Sequence, residues 1–284
     1  MKKIGIVSDS TFSLQDSIIK ELDIKIVNLN IIVDQVVFTD GIDISCDDVF
    51  DAIDAKKKVT TSQPSPEAFS KAYDYFIDQG ITDILCFTVS SGLSGTYSSA
   101  NLANQIVDGK ANIKVVDTKS SAMAGELLIV EVGELIKQGV DFEKVCLLAD
   151  ELVEKTSTIL TIDDLDVLFK SGRLTRAKTL IGSLMKVKII MELDKAGKIF
   201  VAGKVRSTKK IFEFIVKRME KKAHLKDLLH IRISYISTKE NAFKLKEQIE
   251  KRFTNAKIYI CKEITPVLSV HLGKGGFGLS WLTK

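Results

Sequence analysis

Residues 84–107 read ILCFTVSSGLSGTYSSANLANQIV. The first six residues are apolar except for one threonine and contain no turn former, as a strand buried on both faces does. Ser90-Ser91-Gly92-Leu93-Ser94-Gly95 interrupts that run, and Thr96 opens a stretch of helical spacing that runs to Val107. Strand, glycine-bearing loop and helix make one half of a β-α-β unit, the building block of a parallel sheet.

The same rhythm extends outward in both directions. Residues 4–7 (IGIV) form a short β-branched run, and 16–22 have helical spacing. Residues 24–33 read as one strand. Residues 46–55 are a helix candidate with Ser45 as N-cap, and 66–79 another, with Ser65 as N-cap and Pro66 at the first helical position. Residues 113–116 form a further strand and 122–138 a helix stopped by Gly139.

Beyond residue 157 the pattern changes. After a strand at 157–162 come two helical stretches, 165–170 and 174–185. Two strands, 187–193 and 198–205, then flank Asp194-Lys195-Ala196-Gly197, a hairpin signal. A helix at 207–222, a strand at 229–236, a helix at 239–253 and a strand at 256–260 follow, and apolar segments 268–271 and 277–281 close the chain. The expected fold is α/β in two domains: a parallel-sheet domain over 1–157 and a mixed-sheet domain over 158–284.

Charge divides along nearly the same line. Residues 1–170 carry 15 Lys and Arg against 28 Asp and Glu, a net of −13; residues 171–284 carry 26 against 9, a net of +17. A basic half suits an acidic partner, an anionic membrane surface or nucleic acid. Recognisable nucleic-acid motifs are absent from it, and few aromatics accompany the basic runs, so nucleic acid is not an expected partner. The apolar run after Lys2-Lys3 is too short for a signal peptide, and no stretch approaches the ~20 apolar residues of a spanning helix. A cytoplasmic protein is expected. Cys46, Cys86, Cys146 and Cys261 form no CxxC pair, and His224, His230 and His271 have no metal-ligand spacing, so neither a metal nor a disulfide is expected.

Open parallel sheets place their ligand at the C-terminal ends of the strands. Three segments expected there are rich in hydroxyls: Ser8-Asp9-Ser10-Thr11, Ser90 to Thr96, and Asp117-Thr118-Lys119-Ser120-Ser121. A fourth, TTSQPSP at 60–66, precedes a helix. One such loop is an ordinary helix cap. Four at one sheet edge point to an anion site, where hydroxyls and a helix N-terminus receive a carboxylate or phosphate. A serine hydrolase or acyltransferase using Ser94 is the alternative, but the second glycine of the G-x-S-x-G elbow falls one place early, at Gly95. The cluster at 273–278, GKGGFG, fits neither a P-loop nor a dinucleotide fingerprint. In the second half Arg173 follows a glycine break and Arg206 a strand, either suited to a bidentate anion contact. His271 lies in an apolar context.

Taken in order, SDST (8–11), TSQPSPEAF (61–69), SSGLSGTYSSA (90–100), VVDTKSSAMAGE (115–126), KSGRLTRAKTLIGSLMKVK (170–188) and TPVLSVHLGKGGFGL (265–279) resemble the DegV family of bacterial fatty-acid-binding proteins. The resemblance spans the whole length. It implies two α/β domains with a long-chain fatty acid held between them. FakB-like members deliver that acid to a fatty acid kinase, FakA, for acyl-phosphate formation and phospholipid synthesis; the carrier itself is not an enzyme and needs no cofactor. By the same resemblance Thr61, Ser94 and His271 hold the carboxylate, Arg173 lies near that head group, and Arg206 belongs to the network facing the kinase. The family's Ala-Arg-Thr is Val205-Arg206-Ser207 here, its proline after Lys188 is Ile189, and Tyr235 stands where a histidine is common. Residues lining the acyl tail are expected in 165–191.

Overall fold

The computed structural model describes residues 3–162, 172–174, 187–223 and 227–283. The expected helices at 165–170 and 174–185 lie outside the described residues, apart from Leu174, which forms a parallel bridge with Ile199.

In chain order the first half runs β1 (Ile4–Asp9), a 3-10 turn (Ser10–Phe12), α1 (Asp16–Glu21), β2 (Ile24–Val27), β3 (Asn30–Val33), β4 (Val36–Thr39), α2 (Cys46–Asp54), β5 (Val59–Ser62), α3 (Pro66–Ile77), β6 (Asp83–Thr88), α4 (Thr96–Ile106), β7 (Asn112–Asp117), α5 (Met123–Lys137) and α6 (Phe142–Lys155). The second half runs β8 (Thr156–Ile162), β9 (Lys188–Leu193), β10 (Ile199–Val205), α7 (Thr208–Lys222), β11 (Leu229–Tyr235), α8 (Glu240–Glu250), β12 (Ala256–Ile260), α9 (Pro266–Leu272) and β13 (Phe277–Thr283).

Four strands form a parallel sheet in the order β2-β1-β6-β7, with Ile6 opposite both Ile24 and Leu85. Every residue of β6 is buried, which is why its sequence shows no alternation. One face packs Phe69, Tyr73 and Phe76 of α3 and Ala100 and Ala103 of α4 over Val7, Ile84 and Cys86. The other packs Leu128, Ile129 and Val132 of α5 and Val145 and Ala149 of α6 over Ile6, Leu85 and Phe87. Ser65 caps α3 by accepting from Ala68 N at 3.4 Å, and Ser45 and Asp48 form a reciprocal capping box on α2.

The second sheet has six strands in the order β10-β9-β8-β13-β11-β12, antiparallel except for the β11–β12 pair. Helices α7 and α8 cover one face with Ile211, Ile215, Met219, Leu245 and Ile249 over Ile231, Ile233 and Trp281. Helix α5 lies against β11 and β13 on the other face while it also packs on the parallel sheet. This explains why its buried residues, from Met123 to Gly133, fall on every side of the helix. Its two buried carboxylates meet bases on β11: Arg232 Nε is 3.0 Å from Glu126, and His230 Nδ1 pairs with Glu131.

Three elements differ from the sequence expectations, two of them at the site. The expected strand at 24–33 is two strands in different sheets. At Asn28-Leu29 the chain turns away, because Asn28 Nδ2 donates to Asp40 O (2.8 Å) and Leu29 O accepts from Asp40 N (2.9 Å). The break starts a small antiparallel sheet, β4-β3-β5, whose tight turn puts Asp34 and Gln35 at φ 47° and 75°. Such a turn normally announces itself with glycine or asparagine. The segment 60–66, expected as a loop, begins as β5 of this sheet. Helix α6 was not expected at all.

Candidate functional site

The two large sheets and the small one converge on a cavity of about 350 Å³. All four hydroxyl-rich segments reach it: Thr11 after β1, Ser94 and Gly95 after β6, Ser121 after β7, and Thr61, Ser62 and Gln63 at the end of β5. The second half contributes Leu160 of β8, Ile199 of β10, Arg173, and Val267, Leu268, His271 and Leu272 of α9. Polar groups and apolar side chains therefore share one cavity, as a ligand with a polar end and an apolar body requires.

The polar end is built by three elements. Thr61 Oγ1 lies 2.9 Å from His271 Nε2, joining β5 to α9 across 210 residues of chain. Burial, and then the charge of Arg173, lower the His271 pKa from 6.5 to about 3, so the ring is neutral near pH 7. Its Nδ1 is buried and has no hydrogen-bond partner among the described residues. Ser94 Oγ lies 2.8 Å from Thr96 Oγ1 and accepts from Thr96 N at 3.3 Å, at the threshold of α4. Gln63 donates to Ser99 Oγ in the first turn of α4 (3.0 Å); a Cβ at Gly95 would come 2.0 Å from Gln63 Oε1.

Contact between the halves fixes the Ser94 loop. Ser90 Oγ donates to Gly197 O (2.8 Å) at the tip of the β9–β10 hairpin and accepts from Gly92 N (3.1 Å). That tip is shaped by Asp194, whose Oδ1 accepts from Ala196 N and Lys198 N, and by Gly197 at φ 68°. A Cβ at Gly197 would come 1.9 Å from Ser90 Oγ.

Of the five residues singled out from sequence, Thr61, Ser94, Arg173 and His271 line this one cavity. Arg206 is not among its lining residues; it is exposed between β10 and α7. A nucleophilic Ser94 needs a base in reach, but His271 Nε2 is paired with Thr61 and Ser94 Oγ with Thr96. The apolar wall of Leu93, Leu160, Ile199, Leu268 and Leu272 was not placed by sequence, since core and pocket residues share one periodicity. Part of the 165–191 segment expected to line a tail lies outside the described residues. No group of three or more His, Cys, Asp or Glu able to hold a metal occurs among the described residues.

A profile of the DegV family, described as "uncharacterised protein, DegV family", matches residues 3–284. A DegV domain-containing protein of Staphylococcus aureus strain N315 is 31% identical over 284 residues, covering 100% of both chains. A solved structure of a DegV family protein from Thermus thermophilus, reported for its fatty acid binding, superposes with a TM-score of 0.92 at 25% identity, covering 99% of this chain and 100% of that one. A stearic-acid-binding protein from Eubacterium ventriosum superposes with a TM-score of 0.87 at 27% identity, covering 100% of this chain and 99% of that one.

Proposed function

The chain belongs to the DegV family, and on that premise we propose that it binds one long-chain fatty acid, its carboxylate toward Thr61, Ser94 and His271, and presents that end to a fatty acid kinase. The observation that carries this reading is the cavity in which hydroxyls and a neutral histidine face an apolar wall. Burial of the tail contributes about 0.8 kcal/mol per CH₂ before ordering costs. The head group then needs donors rather than a metal: the Ser94 hydroxyl can donate, the Thr61–His271 pair offers one further hydrogen (from Thr61 Oγ1 when Nε2 carries the ring proton, from Nδ1 when it does not), and Arg173 supplies positive charge. A buried carboxylate left without them costs several kcal/mol.

The division at residue 157 gives each domain a share of the site, with Thr61 and Ser94 from 1–157 and Arg173 and His271 from 158–284. Acyl-phosphate formation, and hence supply to phospholipid synthesis, falls to the kinase; this chain is a carrier, not an enzyme, and acts in the cytoplasm. The exposed Arg206 and the basic second half suit an acidic partner surface, and also a transient contact with anionic membrane. Among the described residues no helix is long and apolar enough to cross a membrane. The test has two arms. Stearic acid should displace a fluorescent fatty acid from the purified protein, and addition of a fatty acid kinase with ATP should consume the bound acid. Failure of displacement by stearate and every other long-chain acid refutes the binding reading; displacement without ATP-dependent turnover refutes the kinase reading alone.

A further inference from the structure

Behind the polar end of the cavity lie two buried carboxylates that do not line it. Asp9 is wholly buried. Its Oδ1 accepts from Thr11 N (2.9 Å) and Thr11 Oγ1 (2.6 Å), and its Oδ2 accepts from Val89 N (2.6 Å). Asp40 is 1% exposed. Its Oδ2 accepts from Ser10 Oγ (2.6 Å) and its Oδ1 from Val267 N (2.8 Å). Ser10 Oγ in turn accepts from Leu29 N at 3.1 Å. Thr11, Leu29, Val89 and Val267 all line the cavity. The carboxylate bonds thus end on lining residues or, through Ser10, on a neighbour bonded to one.

The Val267 contact matters most. Val267 is the second residue of α9, after Pro266, which has no N–H, and the side chain of Thr265 makes no capping bond. A short helix with an unpaired N–H at its start is poorly anchored. Asp40 supplies the missing acceptor from 227 residues earlier in the chain. Helix α9 carries Leu268, His271 and Leu272 into the cavity, so what fixes its start also fixes the distance between His271 and Thr61.

We propose that Asp40 is a positioning residue for ligand binding: its carboxylate holds α9, and through it His271, in register with Thr61 and Ser94. The inference rests on the fatty-acid reading and deepens it. Packing alone does not favour a carboxylate here. Burial raises both acids from 3.8 to about 6, with Asp9 adding like-charge repulsion on Asp40. A carboxyl whose pKa is raised on folding costs stability progressively as pH rises from 3.8 to about 6, and the cost is complete above that. An amide of the same shape removes that cost but offers one acceptor oxygen in place of two, and it sets an NH₂ against either Ser10 or Val267.

The full-length chain with Asp40→Asn distinguishes a positioning role from a structural one. Affinity for carboxyl-¹³C-labelled stearic acid is measured by calorimetry, the bound carboxyl resonance by NMR, and the ligand-free Tm by scanning calorimetry. The expected result is about tenfold weaker binding, a shifted carboxyl resonance, and a Tm equal to or above that of the wild type. Unchanged affinity and resonance, with wild type binding normally, overturn the proposal. A lower Tm with an unchanged resonance also overturns it, because it assigns Asp40 to the fold alone. Wild-type protein that binds no stearate refutes the fatty-acid reading itself and the inference with it. If Asp40→Asn does not fold, Ser10→Ala cuts the same chain of bonds; it should shift the bound resonance and weaken binding, and an unaltered resonance and affinity again overturn the proposal.

Discussion

At the scale of single residues, the site combines a neutral histidine with hydroxyls, and each choice has a measurable consequence. Thr61→Ala removes the partner of His271 Nε2 and His271→Ala removes a candidate donor. Each should weaken fatty-acid binding by about 1 to 2 kcal/mol, roughly five- to thirtyfold, in a displacement titration. Ser94→Ala should weaken it similarly without labelling by a serine-reactive probe in the wild type; strong labelling of Ser94 would favour a nucleophile. The pH dependence of stability follows from the depressed pKa of His271, about 3 in the fold against 6.5 as a free side chain. The folded state favours neutral imidazole, so this contribution is complete above pH 6.5 and declines as pH falls from there toward 3. Between pH 6.5 and 5, His271→Gln should therefore lose less stability than the wild type, by roughly 1 to 2 kcal/mol in denaturant titrations. Asp9 and Asp40 act with the opposite sign, so the comparison must be between the two proteins at each pH.

At the scale of elements, α5 and the β9–β10 hairpin unite the two halves. Glu126 on α5 and Arg232 on β11 form a buried ion pair, with side chains 0% and 8% exposed. Arg232→Met strands the Glu126 charge and should cost about 3 to 5 kcal/mol, while adding Glu126→Gln should restore most of it. Equal Tm values for the single and double variants would show that the pair is not coupled. Gly197→Ala strains a residue at φ 68° and drives a Cβ into Ser90 Oγ, so it should destabilise the chain by about 1 to 3 kcal/mol. It should also loosen the Ser94 loop, visible as faster amide exchange at 90–94. Much of this level is legible in the sequence. β6 shows as an unbroken apolar run because both its faces are covered, and α3 shows because Ser65 and Pro66 mark its start. The small sheet does not show: its strands are four residues long, and Asp34-Gln35 turns without glycine. Helix α6 does carry a pattern, with Val145, Ala149 and Val153 buried at intervals of four.

At the scale of the whole molecule, the acidic and the basic half both contribute lining residues to one cavity. The hydroxyl segments are legible because Ser and Thr cluster where strands end; their joint arrival at one cavity depends on tertiary contacts such as Asp40 with Val267, which local pattern does not encode. The +17 of the second half predicts that any kinase complex weakens as ionic strength rises, since exposed charges more than about 8 Å apart are screened at 0.15 M salt. The most direct test of a fatty-acid site is native mass spectrometry of the protein purified without added lipid, followed by extraction and identification of whatever is bound. A single long-chain fatty acid per chain, lost or diminished in His271→Ala, is the expected result. Ligand-free protein that takes up none of a set of acids of about 14 to 20 carbons would contradict it.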